Sequence, residues 1–208
     1  IDYCDGLIYS NTELVGGHRG YDANGFCTLC DGYQPANLVG DYYEISNAGQ
    51  LFWFAQQMDS NAIPQTAGAV LTVDIDLENR LWTPIGTYNE SVIPEVNHTY
   101  KGTFDGQGHV ISNLYVDNSG WAGLFGLAHG GATINNVKLS GVTIMSNRMA
   151  GSVVGQIYGS INGCHVENAN IIVIPNAVGD SFDNGDKVGG IVGWLGDNGD
   201  NRTLKDCS

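Results

Sequence analysis

Positive charge is scarce in this chain: 8 Lys and Arg stand against 22 Asp and Glu, a formal net charge of -14. A phosphate backbone would be repelled, so nucleic acid is not an expected partner, and bare anionic lipid is disfavoured for the same reason. Long apolar runs are also missing. The longest uninterrupted aliphatic stretch is Ile171 to Ile174, far short of the roughly 20 apolar residues that cross a bilayer as a helix, so no transmembrane segment is expected. The sequence opens without a basic and apolar leader, which fits a processed or excised chain. Its five histidines, His18, His98, His109, His129 and His165, are scattered without HExxH spacing, and no GxSxG, Walker or dinucleotide-binding context appears, since the glycine-rich stretches open onto strands. Metalloprotease and nucleotide chemistry are therefore unsupported. Five cysteines, an odd number, do not describe a fully paired disulfide framework, so the fold is not expected to depend on one.

What is present is glycine, 30 of 208 residues, within a chain that is 42% apolar and only 14% charged. That composition buries a core, and glycine without collagen periodicity implies many tight turns. Internal repeats account for them. Ala122-Gly123-Leu124-Phe125-Gly126 is echoed by Ala150-Gly151-Ser152-Val153-Val154-Gly155 and by Val188-Gly189-Gly190-Ile191-Val192-Gly193. A second element follows each: Ile134-Asn135-Asn136-Val137, Ile161-Asn162-Gly163-Cys164 and Leu204-Lys205-Asp206-Cys207, with Ile111-Ser112-Asn113-Leu114 read as an earlier copy. The step from Ile134 to Ile161 carries Leu139 onto Val166, Val142 onto Ala169 and Ile144 onto Ile171, apolar onto apolar. The longer last step is absorbed by a polar insertion around Pro175 to Asp186. Alternation at a period of two within each copy marks half-buried strands. Stacked short strands with Gly or Asn corners predict an all-β fold, a right-handed parallel β-helix (solenoid), in which each turn buries its apolar side against the next.

Ser46 to Met58 begins with cap-type residues and places Leu51, Ala55 and Met58 on one helical face, predicting a short N-terminal capping α-helix. It precedes an expected first strand, Ala69 to Leu77, and is expected to cover the open end of the stack. The other end stops inside a repeat at Lys205-Asp206-Cys207-Ser208, so contiguous repeats of a parent chain are expected there. This divides the sequence into a small Cys- and His-containing N-terminal module, 1–40, and a β-helix, 41–208.

Tyr43-Glu44-Ile45-Ser46-Asn47-Ala48-Gly49-Gln50-Leu51, Leu71-Thr72-Val73-Asp74-Ile75-Asp76-Leu77, Trp82-Thr83-Pro84-Ile85-Gly86 and Gly102-Thr103-Phe104-Asp105-Gly106-Gln107-Gly108-His109-Val110-Ile111, followed by Gly123-Leu124-Phe125-Gly126, together resemble the GLUG-motif repeat family. The resemblance spans residues 41–208. It implies β-helical stretches of large surface and secreted bacterial proteins, including those of gut bacteria, beside adhesin-like or immunoglobulin A peptidase-like regions. It implies a spacer or adhesive role and no catalytic residues. The second and third copies depart from the pattern by replacing the Leu-Phe pair.

Several residues could carry chemistry. Cys27 and Cys30 have the knuckle spacing that lets two thiolates share one zinc, and Cys4 and His18 would complete the set; a Cys27–Cys30 disulfide or free thiols are the alternatives. Asp180, Asp183 and Asp186, with Asp197 and Asp200 nearby, could gather carboxylate oxygens around calcium or simply be solvated turn residues. No cofactor is required by either reading. Cys164 and Cys207 replace Val137 at equivalent positions and read as core packing, with a disulfide between adjacent turns as the alternative in an oxidising compartment. Tyr42, Tyr43, Phe52, Trp53, Phe54, Trp82, Tyr88 and Tyr100 read as the seal between the helix and the first turns, the other reading being a platform for sugars or a protein partner. Asp74, Asp76 and Asp105 are the carboxylates available to a polysaccharide lyase or hydrolase, which needs them clustered or beside a basic residue. The expectation is a non-catalytic extracellular or cell-surface module, structural or adhesive, with a glycan or host or surface protein as ligand. A carbohydrate-active β-helix enzyme is the alternative.

Overall fold

The computed structural model describes residues 20–89, 96–118, 120–174, 187–196 and 203–208. Among them many short strands stand beside one helix, Ala48–Asp59. A seven-stranded sheet runs in the order Asn37–Val39, Tyr42–Ile45, Gly68–Leu71, Thr103–Asp105, Thr133–Asn135, Ser160–Asn162 and Thr203–Lys205. All its pairings after the first hairpin are parallel. A second, parallel sheet joins His165–Val173, Lys138–Ser146, Val110–Ser112 and Ile75–Asp76, with Tyr115–Asn118 also on the central strand. Two three-stranded parallel sheets complete the ladders: Trp121–Ala122, Met149–Gly151 and Lys187–Gly189, and Phe125–Ala128, Val154–Ile157 and Val192–Leu195.

The repeat register read from sequence is the pairing register. Ile134 sits opposite Ile161, and Leu139, Val142 and Ile144 sit opposite Val166, Ala169 and Ile171. The glycine elements align as well, Ala122 on Ala150 on Val188 and Phe125 on Val154 on Val192. Like residues stacking on like residues is what holds the ladders together. Phe104, Ile134 and Ile161 form one column and Ile111 and Leu139 another, all but fully buried. Each such side chain contributes about 1.5–3 kcal/mol on leaving water. Gly151 shows why the elements need glycine: a Cβ there would lie 2.4 Å from the Gly193 nitrogen, so a neighbouring strand fits only against bare backbone.

Two expectations are corrected. Ile111 is not an earlier copy of Ile134. It pairs with Leu139 and Ile75 in the second sheet, while the partner of Ile134 is Phe104. The corner Phe104-Asp105-Gly106 does the work of Ile134-Asn135-Asn136 with different side chains. The first strand is also not continuous from Ala69 to Leu77. It ends at Leu71, where the Thr72 amide completes the parallel ladder by donating to the Ile45 carbonyl at 3.0 Å, and a new strand in another sheet starts at Ile75.

The helix Ala48–Asp59 packs its buried face into the same core as the strands. Asn47 caps it, its Oδ1 accepting from the Gln50 amide at 2.9 Å, while Gln50 Oε1 accepts from the Ser46 amide at 2.7 Å. Leu51, Ala55 and Met58 are buried as the helical spacing required, and Phe54 is buried with them. Residues of the N-terminal stretch pack on the same helix: Phe26 meets Phe52 edge-on at 5.6 Å, and the Gly49 amide donates to the Asn24 carbonyl at 2.7 Å. A two-residue turn at Gly40-Asp41 joins Asn37–Val39 to Tyr42–Ile45, so paired backbone runs across the expected boundary at residue 40.

Candidate functional site

Two of the three carboxylates suited to polysaccharide chemistry, Asp76 and Asp105, are engaged in building corners. Asp76 Oδ1 accepts from the Glu78 amide and from Asn113 Nδ2, both at 2.8 Å. Asp105 Oδ1 accepts from the Gln107 amide at 2.9 Å and from Asn136 Nδ2 at 3.1 Å. These are the local turn bonds that Asp makes two residues ahead, tied to the next rung by an asparagine. Asp74 differs. Its Oδ1 lies 3.0 Å from His109 Nδ1 and accepts from the Val110 amide at 3.0 Å, and these contacts, the Val110 amide first, hold its carboxyl below the usual 3.8. Lys138, one rung on, adds its field in the same direction. A carboxylate, an imidazole and an ammonium therefore share an outer surface. Asp74 and Lys138 are exposed, so no water is excluded from the group, and a proton-transfer site gains little there.

The aromatic residues of the first third are mostly core. Phe52, Phe54, Trp82 and Tyr100 are buried, Phe52 against Trp82 at 4.9 Å and Phe54 against Tyr100 at 6.4 Å. Trp82 Nε1 donates to the Leu124 carbonyl at 3.0 Å and the Tyr100 hydroxyl to the Ala67 carbonyl at 3.1 Å. Burial drives the Tyr100 phenol far above its ordinary value. Tyr43 and Trp53 pack at the margin of this core and Tyr42 is exposed, while the Tyr88 side chain lies outside the described residues.

A different aromatic surface emerges from later rungs. Gln156, almost wholly buried, accepts from Trp121 Nε1 at 2.5 Å and donates from Nε2 to the Tyr158 hydroxyl at 2.7 Å. In the next strand Trp194 stands opposite Gln156, and its ring lies 6.5 Å from Tyr158, which also packs on His129 at 4.6 Å. Arg148 lies over Trp121 at 4.9 Å and Lys187 over Trp194 at 3.3 Å. Half-buried rings locked by a buried amide, with two of the chain's few cations against them, form a rigid amphipathic patch. None of these residues stood out in the sequence. The aligned copies Val154-Gly155-Gln156 and Val192-Gly193-Trp194 held the signal, one residue beyond the glycines.

Of the four N-terminal ligand candidates, Cys4 and His18 lie outside the described residues. Cys27 is buried and outside any disulfide, and Cys30 is disulfide-bonded. A sulfur in a disulfide has no thiolate to give a metal. Asp180, Asp183, Asp186, Asp197 and Asp200 also lie outside the described residues. Among the described residues no three His, Cys, Asp or Glu are grouped to hold a metal, and no helix is long and apolar enough to cross a membrane.

Over 167 residues, 77% of its length, the chain is 29% identical to Halomucin of Haloquadratum walsbyi. The matched stretch spans about 2% of that protein's length. No family model matches the chain, and no solved structure matches it.

Proposed function

We propose that the chain is a right-handed parallel β-helix from an extracellular, cell-surface protein, that it is non-catalytic, and that it serves as an adhesive or spacing module. The observation that carries this reading is the ladder of aligned parallel strands, in which the same left-handed corner recurs at Asn136, Gly163 and Asp206. Several parallel sheets sharing consecutive strands fit successive sides of one winding, and parallel crossovers are overwhelmingly right-handed. An oxidising location is supported by the disulfide at Cys30 and a surface role by the likeness to a short stretch of Halomucin. The GLUG resemblance points the same way. The ligand surface we assign is the Trp121–Tyr158–Trp194 patch, whose flat rings and flanking cations suit a sugar chain carrying carboxylate or sulfate groups. The Asp74–His109–Lys138 group favours polysaccharide cleavage instead.

A glycan-array screen of the purified chain with and without calcium tests both readings, followed by incubation with each bound polysaccharide. Binding without cleavage, lost in Trp194→Ala, is the expected result. Cleavage that disappears in Asp74→Asn would replace it with the enzyme. Absence of binding to any glycan would remove the adhesive half and leave the spacer.

A further inference from the structure

Cys164 and Cys207 occupy the same place in adjacent rungs, just after the paired strands Ser160–Asn162 and Thr203–Lys205. The backbone pairing continues past those strands: the Gly163 amide donates to the Lys205 carbonyl at 2.9 Å, the Ser208 amide to the Cys164 carbonyl at 3.1 Å, and the Val166 amide to the Ser208 carbonyl at 2.8 Å. The two cysteines are thus held as nearest neighbours on adjoining parallel strands, which run about 4.7–4.9 Å apart. That separation falls within the roughly 4.4–6.8 Å between α-carbons that a disulfide spans. Both thiols also point the same way. Cys164 Sγ lies 3.8 Å from the Ile134 carbonyl and Cys207 Sγ 3.9 Å from the Ile161 carbonyl, the same contact one rung later. The Cys207 thiol is close enough to add to the burial that raises the Cys164 thiol.

We propose that Cys164 and Cys207 are a site of oxidative cross-linking, forming a disulfide that staples one rung to the next and closes the loop carrying the insertion between residues 174 and 187. This goes beyond the adhesive or spacing role and does not depend on it. The oxidant is a disulfide donor, either oxidised glutathione or a disulfide-bearing protein. The two thiols are not equivalent. Cys164 is fully buried, and burial pushes its thiol up to about 12, whereas Cys207 is only partly covered. Cys207 therefore attacks first, as the thiolate, expelling one thiolate from the donor and forming a mixed disulfide. Cys164 then loses its proton to solvent and attacks Cys207 Sγ, breaking the mixed bond and expelling the second donor thiolate. Two protons and two electrons leave the protein, and the donor disulfide is reduced to two thiols. Because Cys164 ionises reluctantly, the second step is slow and accelerates as pH rises.

The test is peptide mapping without reduction after the folded chain is incubated with oxidised glutathione. Trypsin separates the two cysteines by cutting after Arg148, Lys187 and Lys205. The expected product is a Cys164 peptide linked to the Cys207 peptide, lighter by two hydrogens than their sum and split by reductant. Oxidation should raise the thermal midpoint of the wild-type chain by several degrees and leave Cys164→Val unmoved, a substitution that restores the residue type found at Val137. Recovery of the two cysteines on separate peptides, alkylated or individually glutathionylated, would overturn the proposal. So would an equal midpoint rise in Cys164→Val.

Discussion

Asn136, Gly163 and Asp206 stand at one corner of three successive rungs, with φ of 52°, 62° and 53°. Only glycine enters this region freely, and Asn and Asp tolerate it because their short polar side chains bond locally. Asn136 also bonds across to the neighbouring strand layer, its Nδ2 donating to Asp105 Oδ1. Asn136→Ala should therefore lose about 1–2 kcal/mol, measured as a shift in urea midpoint, while Asn136→Gly should stay near wild type. Gly163→Ala should cost more than the backbone strain alone, because its Cβ would lie 2.7 Å from Asn136 Oδ1. Asp74 adds a pH dependence of definite sign. The Val110 amide and the His109 ring lower its carboxyl pKa in the folded state, so this contribution is present above the ordinary carboxylate value of 3.8 and is lost as pH falls through the lower folded value. The gap in urea midpoint between wild type and Asp74→Asn should thus be open at neutral pH and close in acid. A gap that persists at the acid end would mean that the carboxylate's charge is not what the amide holds.

The helix Ala48–Asp59 illustrates how one element is fixed at its start. Asn47 both accepts from the Gln50 amide and donates from Nδ2 to Gln34 Oε1 at 2.8 Å, linking the helix end to the stretch that packs over it. Asn47→Ala should cost about 1–2 kcal/mol in chemical denaturation, and Asn47→Ser should recover most of the capping share but not the bond to Gln34. This cap and the face of Leu51, Ala55 and Met58 were legible in the sequence because both are local patterns. The register of Ile134 on Ile161 was legible because repetition writes a long-range contact into spacing. Ile111 was misread for the same reason: Ile-Ser-Asn-Leu looks like Ile-Asn-Asn-Val, but the pairing is decided by Phe104, which has a different shape and the same column. The break after Leu71 left no glycine, proline or asparagine to see, since Thr72-Val73-Asp74 carries the chain from one sheet to the next. The Trp121–Gln156–Trp194 patch was hidden because its members are far apart in sequence and meet through the amide of Gln156 and the ring of Tyr158.

For the β-helix proposed above, stability is close to a sum of each rung and its neighbouring interfaces. The columns make the consequence visible. Ala150, Ile157 and Ile161 are fully buried, whereas their partners in the last rung, Val188, Leu195 and Leu204, are 52%, 39% and 51% exposed. The strand His165–Val173 repeats the contrast, with Ile171 only partly covered where its partner Ile144 is buried. One chemical change should therefore have two different costs along a single column. Ile161→Ala removes a side chain packed between rungs and should cost about 2–5 kcal/mol, while Leu204→Ala, covered on one side only, should cost well under half as much. Native-state hydrogen exchange should show the same gradient, with the amides of 203–208 exchanging ahead of those of 160–166 by local opening. Equal costs at the two positions would mean that Leu204 is covered in solution, and that the face it belongs to is an interface.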